Sequence, residues 1–150
     1  MSTRLTLADS AATEALGAEL AGGFTPGLVY LYGELGTGKT TLARGLLRGL
    51  GHLGKVRSPT YTLVESYQLA AGTVYHLDLY RLGSPEELEW LGLRDMLAEQ
   101  ALLLVEWPER GAGVLPAADL EIHIDYAGEA RVATLRAVSA AGDRMLAALD

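Results

Sequence analysis

The chain has no cysteine. Disulfide cross-links and thiolate-held metals are therefore excluded. No apolar run comes near the roughly 20 residues that a membrane-spanning helix needs. Met1-Ser2-Thr3-Arg4 leads into no signal-like apolar segment, so the protein is expected in the cytoplasm and off the membrane. Basic residues are in deficit: 12 Lys and Arg stand against 19 Asp and Glu, a formal net charge of -7. Neutralising phosphates supplies most of the affinity of a nucleic-acid binder. The acidity thus argues against a chain that holds nucleic acid by itself, and leaves room for a partner that does. Internal repeats, low-complexity tracts and linkers are also missing. At 150 residues, 49% hydrophobic and 21% charged, the chain is expected to form one globular domain over 1–150.

What is present is a glycine-rich run. Gly33, Glu34, Leu35, Gly36, Thr37, Gly38, Lys39, Thr40 and Thr41 fit the pattern G-x-x-x-x-G-K-[ST]. The pattern describes a loop whose backbone N–H groups wrap a phosphate chain. Its flanks are the required ones. Leu28-Val29-Tyr30-Leu31-Tyr32 is a short apolar run after Pro26-Gly27 and reads as a buried strand. Leu42, Leu46 and Leu50 recur at helical spacing, with Arg44 and Arg48 on another face and Gly51 where the helix would end. Gly33, Gly36 and Gly38 permit angles and approaches that a Cβ would block. The helix start aims N–H groups and a positive dipole end at an anion. Lys39 can reach the β- and γ-phosphates, and the Thr40 hydroxyl is the expected magnesium ligand. The run therefore predicts a nucleoside triphosphate with Mg2+.

The remaining elements can be placed coarsely. Thr6-Leu7 ends a short first strand, and Asp9 or Ser10 caps a helix to about Ala21, with Ala12, Leu16 and Leu20 on one side. Ser58-Pro59-Thr60 is a turn. Tyr61 to Leu69 and Thr73 to Leu82 read as a hairpin around Ala70-Ala71-Gly72. Ser84-Pro85-Glu86-Glu87 predicts a capping box opening a helix to about Gln100 that buries Leu88, Leu91 and Met96. Ala101 to Val105 is a further buried strand. Asp119 to Tyr126 alternates, with Leu120, Ile122, Ile124 and Tyr126 on one face, and Gly128 turns it into a partner strand over Ala130 to Ser139. A short helix from Gly142 follows. The fold class is α/β: a P-loop nucleotide-binding domain with a mixed central β-sheet flanked by helices.

A phosphate loop that hydrolyses needs an acid near magnesium and a group that orients the nucleophile. Glu106 ends the strand Ala101 to Val105, as a Walker B carboxylate does, and Asp78 sits in Val74 to Arg81. Both are candidate catalytic residues and, with Thr40, candidate metal ligands. Either acid could equally be a solvated strand end. Ser58-Pro59-Thr60 could sense a γ-phosphate or be an ordinary turn. Arg81 could act as a cis arginine, and Lys55 and Arg57 could be plain loop charges. His76 and His123 lack metal-ligand spacing. Trp90 and Trp107 read as core or interface, with Trp107 beside the site.

Four stretches together, G-E-L-G-T-G-K-T-T (33–41), S-P-T-Y-T-L-V-E-S-Y (58–67), H-L-D-L-Y-R-L (76–82) and V-E-W-P-E (105–109), resemble the TsaE family, also called YjeE. The likeness runs through nearly the whole chain. It implies a bacterial ATPase for the threonylcarbamoyl modification of tRNA adenosine 37. Its implied partners are TsaD and TsaB, with tRNA reached only through them, and its role is to support turnover of their complex. It implies that Lys39 and Thr40 hold phosphates and magnesium, that Asp78 and Glu106 serve magnesium and hydrolysis, and that Trp107 stands beside the acid. Thr13 matches a family position near the nucleotide base, and Arg131 a late basic position. Tyr61 stands where many members have Phe.

Two other uses of the loop remain open. A small-molecule kinase usually closes an arginine-rich lid over ATP, whereas only Arg94 and Arg110 fall between Leu82 and Leu120. A nucleotide-binding interaction module would keep its ATP without hydrolysing it. A GTPase is disfavoured, since no Asn-Lys-x-Asp guanine motif occurs.

Overall fold

Local chemistry sets the ends of the helices. In the computed structural model, which describes residues 2–149, the Asp9 carboxylate accepts the Ala12 N–H at 2.8 Å and starts α1 (Ser10–Ala21). A left-handed Gly51, φ +96°, follows the end of α2 (Lys39–Gly49). Ser139 accepts the Gly142 N–H and starts α5 (Ala140–Ala147).

Seven strands form one sheet: β1 (Ser2–Leu7), β2 (Gly27–Tyr32), β3 (Val64–Leu69), β4 (Gly72–Asp78), β5 (Leu102–Glu106), β6 (Leu120–Ala127) and β7 (Ala130–Ala137). Their spatial order is β1-β7-β6-β2-β5-β4-β3. β2 runs parallel to both β5 and β6, and β4 parallel to β5. The β3–β4, β6–β7 and β1–β7 pairs are antiparallel. The sheet is thus mixed, with its parallel strands in the middle, as an α/β fold requires.

Alternation along the central strands sends side chains into two separate cores. Val29, Leu31, Val74, Leu102 and Leu104 meet α1, α2 and α5 on one face. Leu28, Tyr30, Leu77, Leu103 and Val105 meet α3 (Glu87–Trp90) and α4 (Leu93–Ala98) on the other. β5 is buried on both faces, which explains its unbroken apolar sequence. No helix among the described residues is long and apolar enough to cross a membrane.

Several local expectations are corrected. The helix expected from Ser84 to Gln100 is two short helices, because Gly92 adopts φ +87° between them. Leu93 turns inward in place of Leu91, which is half-buried, and Trp90 is 89% exposed. The capping box is not formed as expected: Glu87 accepts the Gly83 N–H at 3.2 Å, and Ser84 offers its carbonyl to the Glu87 N–H. The hairpin strands are shorter than expected. Leu63 has φ +69° and donates to the Pro59 carbonyl at 2.7 Å, so β3 begins only at Val64. Tyr126 shares the face of Ile124 but is exposed, since β6 there runs past the core.

Candidate functional site

The glycine run leaves β2 at its carboxyl end and enters α2, where open α/β sheets bind ligands. Its turns need glycine. Gly36 and Gly38 have φ of +80° and +114°. A Cβ on Gly33 would stand 2.6 Å from Thr37 Oγ1 and 2.7 Å from the Ile124 carbonyl. Thr37 closes the loop by donating its N–H and hydroxyl to the Glu34 carbonyl at 3.3 and 2.9 Å. At the loop tip the Tyr126 hydroxyl donates to the Leu35 carbonyl. The first N–H groups of α2 follow directly on this loop, and such groups lack partners within the helix.

Lys39 is only 5% exposed. Its ammonium donates to the carbonyls of Gly33 and of Glu34, the latter at 3.2 Å, and lies 4.0 Å from the centre of the Trp107 ring. Burial pushes its pKa down, while the charge of Glu106 pulls it up. Trp107 reaches this position through a left-handed backbone, φ +56° and ψ +48°. Such a conformation is strained for a non-glycine residue and clusters at functional sites.

The two acids meet because of strand register. Asp78 of β4 pairs with Glu106 of β5, and Glu106 in turn with Leu31 of β2. Alternation puts both carboxylates on the α2 face. Glu106 accepts the Thr40 hydroxyl, with its two oxygens 3.1 and 2.9 Å away, and one of them lies 2.7 Å from His76 Nε2. Asp78 accepts the Tyr80 N–H at 3.0 Å. Burial raises the Asp78 pKa, and the charge of Glu106 raises it further.

Gly36, Lys39, Thr40, Thr60, Asp78, Tyr80, Glu106 and Trp107 border one cleft of about 150 Å³. A second cleft of about 140 Å³ lies on the other side of Gly36, bordered by Thr13, Thr37, Gly38, Thr41 and Arg131 among others. Thr13 and Arg131, distant in sequence, thus flank the same hollow. Arg81 does not join either cleft; it stacks on Tyr61, 4.6 Å from its ring centre. Thr60 is the part of the Ser58-Pro59-Thr60 turn that borders the acidic cleft.

The donor set fits magnesium. Thr40, Glu106 and Asp78 offer hard oxygens, and magnesium takes one or two carboxylates plus waters and substrate phosphates rather than a full protein cage. Among the described residues no group of three or more His, Cys, Asp or Glu side chains is placed to hold a metal ion by itself. Two residues of this region were not singled out from the sequence as site residues. Tyr80 borders the cleft, and His76 grips Glu106 from a fully buried position. The signal for His76 was its phase, since Val74, His76 and Asp78 alternate onto one face of β4.

Comparison with known proteins agrees with this architecture. The family model described as threonylcarbamoyl adenosine biosynthesis protein TsaE matches residues 7–133. The tRNA threonylcarbamoyladenosine biosynthesis protein TsaE of Haemophilus influenzae is 52% identical over 123 residues, covering 82% of this chain and 78% of that protein. The protein of the same name from Bacillus subtilis is 40% identical over 99 residues, 66% of this chain and 61% of that one. The crystal structure of Bacillus subtilis YdiB superposes with a TM-score of 0.82 at 29% identity, covering 99% of this chain and 94% of that one. From loop, register and likeness together, the chain belongs to the TsaE family of threonylcarbamoyladenosine biosynthesis proteins.

Proposed function

We propose that this chain is a magnesium-dependent ATPase serving the threonylcarbamoyl modification of tRNA adenosine 37, where it supports turnover of a TsaD–TsaB complex. The observation that carries the reading is the convergence of Lys39, Thr40, Asp78 and Glu106 on one cleft at the start of α2.

Each group has a part. Lys39 exchanges two neutral carbonyl partners for phosphate oxygens, which hold an ammonium more strongly. The N–H groups of Gly36, Gly38 and the first turn of α2 cradle the phosphate chain without needing charge of their own. Thr40 and Glu106 would hold magnesium, with Asp78 beside them. When bound, the metal neutralises phosphate charge and orients the phosphates. Asp78, whose carboxyl is pushed up by burial, is suited to orient a water and take its proton. The second cleft, with Thr13 and Arg131, takes the base side of the nucleotide. The net charge of -7 leaves tRNA to the partners. On this reading the protein works in the cytoplasm.

Phosphate release from ATP tests the proposal, with the chain alone, with TsaD and TsaB, and with tRNA added. Slow release alone and faster release with partners is the expected result. If ATP binds in every mixture and no phosphate is freed, the chain is a non-hydrolytic binding module. Transfer of the phosphate to a small acceptor rather than water would make it a kinase.

A further inference from the structure

We infer that His76 is the positioning residue of this site, holding the Glu106 carboxylate in the orientation that a metal requires. The inference rests on the proposed magnesium site. His76 lies on β4 with no exposed surface, and its Nε2 is 2.7 Å from Glu106 Oε2. The acceptor is a carboxylate, so Nε2 donates. Nδ1, also buried, finds no partner among the described residues.

Burying an imidazole here is costly. On its own face Val74 precedes it on β4 and Leu104 pairs with it from β5, both fully buried and apolar, and a branched aliphatic side chain would fill such a position without an orphaned nitrogen. The ring's one polar contact is with Glu106, so that contact is where its function lies.

The geometry says why Glu106 needs it. Glu106 sits at the end of β5 on a side chain with three rotatable bonds. Its other partner is Thr40, whose single hydroxyl proton is shared between two oxygens at 3.1 and 2.9 Å. That hydroxyl can ligate a metal through an oxygen lone pair and still donate, but its one proton cannot hold both carboxylate oxygens. His76 is mounted on a central strand, where Cα pairing with Leu104 fixes its place two residues before Glu106 in register. It commits Oε2 to the protein and leaves Oε1 for a metal or a metal-held water. Hydrogen bonds of this kind, behind the ligands, typically set metal affinity by about 10- to 100-fold.

The test measures binding rather than turnover. Mn2+ is titrated into the full-length protein with a non-hydrolysable ATP analogue, and bound metal is read by electron paramagnetic resonance. His76→Leu is expected to weaken Mn2+ binding by about 10- to 100-fold, while affinity for the analogue in EDTA stays unchanged. His76→Gln, whose amide N–H can replace Nε2, is expected to restore most of it. Unchanged Mn2+ affinity in a folded His76→Leu protein overturns the inference. So does an equal loss of analogue affinity in EDTA, which would mark a purely structural residue. A long-range 15N–1H spectrum of the unmutated protein gives an independent check: the proton belongs on Nε2, and finding it on Nδ1 alone refutes the assignment even if His76→Leu does not fold. Should the unmutated protein bind the analogue but no Mn2+, the magnesium reading itself falls, and that outcome is visible before any variant is made.

Discussion

Asp78 shows how a site residue can work against the fold. Its pKa is raised, first by burial and then by Glu106. A raised carboxyl contributes stability that is fully present below the ordinary Asp value and lost as pH rises through the folded value. At neutral pH the charged form is therefore a net cost. Asp78→Asn keeps an oxygen for the Tyr80 N–H and removes that charge. Urea melts should show the Asn protein more stable than the parent at about pH 7.5, the gap shrinking toward about pH 4. A parent that is the more stable at neutral pH would refute this. Lys39→Ala should weaken ATP binding by about 30-fold, the equivalent of roughly 2 kcal/mol for a lost charged hydrogen bond. Calorimetry checks it, and unaltered affinity would remove Lys39 from the phosphate site. Lys39, Thr40 and Glu106 were legible in the sequence because spacing and an apolar strand announce them. His76 was not, because asking whether a histidine has metal-ligand spacing does not ask what it touches when buried. Only the pairing of β4 with β5 supplies that answer.

At the scale of elements, α1 and α2 cross at contact distance. A Cβ on Gly45 would lie 2.0 Å from the Glu14 carbonyl oxygen, and one on Gly17 2.2 Å from the Leu42 carbonyl oxygen. Both obstacles are backbone and cannot rotate aside. Gly45→Ala must push α1 from α2, and overpacking of this kind costs about 1–3 kcal/mol or more. The expected fall in Tm is about 2–4 °C per kcal/mol for a chain of this size, and an unchanged Tm would show that the crossing is slack. Since α2 also carries Lys39 and Thr40, the same contact sets where the site's cation and hydroxyl stand. Helix boundaries were readable where a cap writes them, at Asp9 and Gly51. The break at Gly92 was not, because a lone glycine within a helical pattern is often tolerated and nothing local announces φ +87°.

The whole molecule carries a net charge of -7. The isolated chain should therefore fail to retain tRNA at about 0.15 M salt, where non-specific binding depends on neutralised phosphates. Gel-shift titration tests this, and micromolar binding by the chain alone would contradict the assignment of tRNA to its partners. A mixed sheet with two hairpins was foreseeable from alternation and turns. The strand order was not, because pairs such as β2 with β6 join segments that no local pattern connects. That order also has a meaning in time. β1 is made first, yet its one neighbour in the sheet is β7, where Ser2 meets Arg136. Likewise the glycine loop is made well before β5 and β6, the strands that flank β2. On the ribosome, the first strand must wait unpaired while nearly all the rest is translated. A chain stalled before β5 carries the whole glycine-rich run but lacks Glu106, so under the proposed function it holds only half of the site.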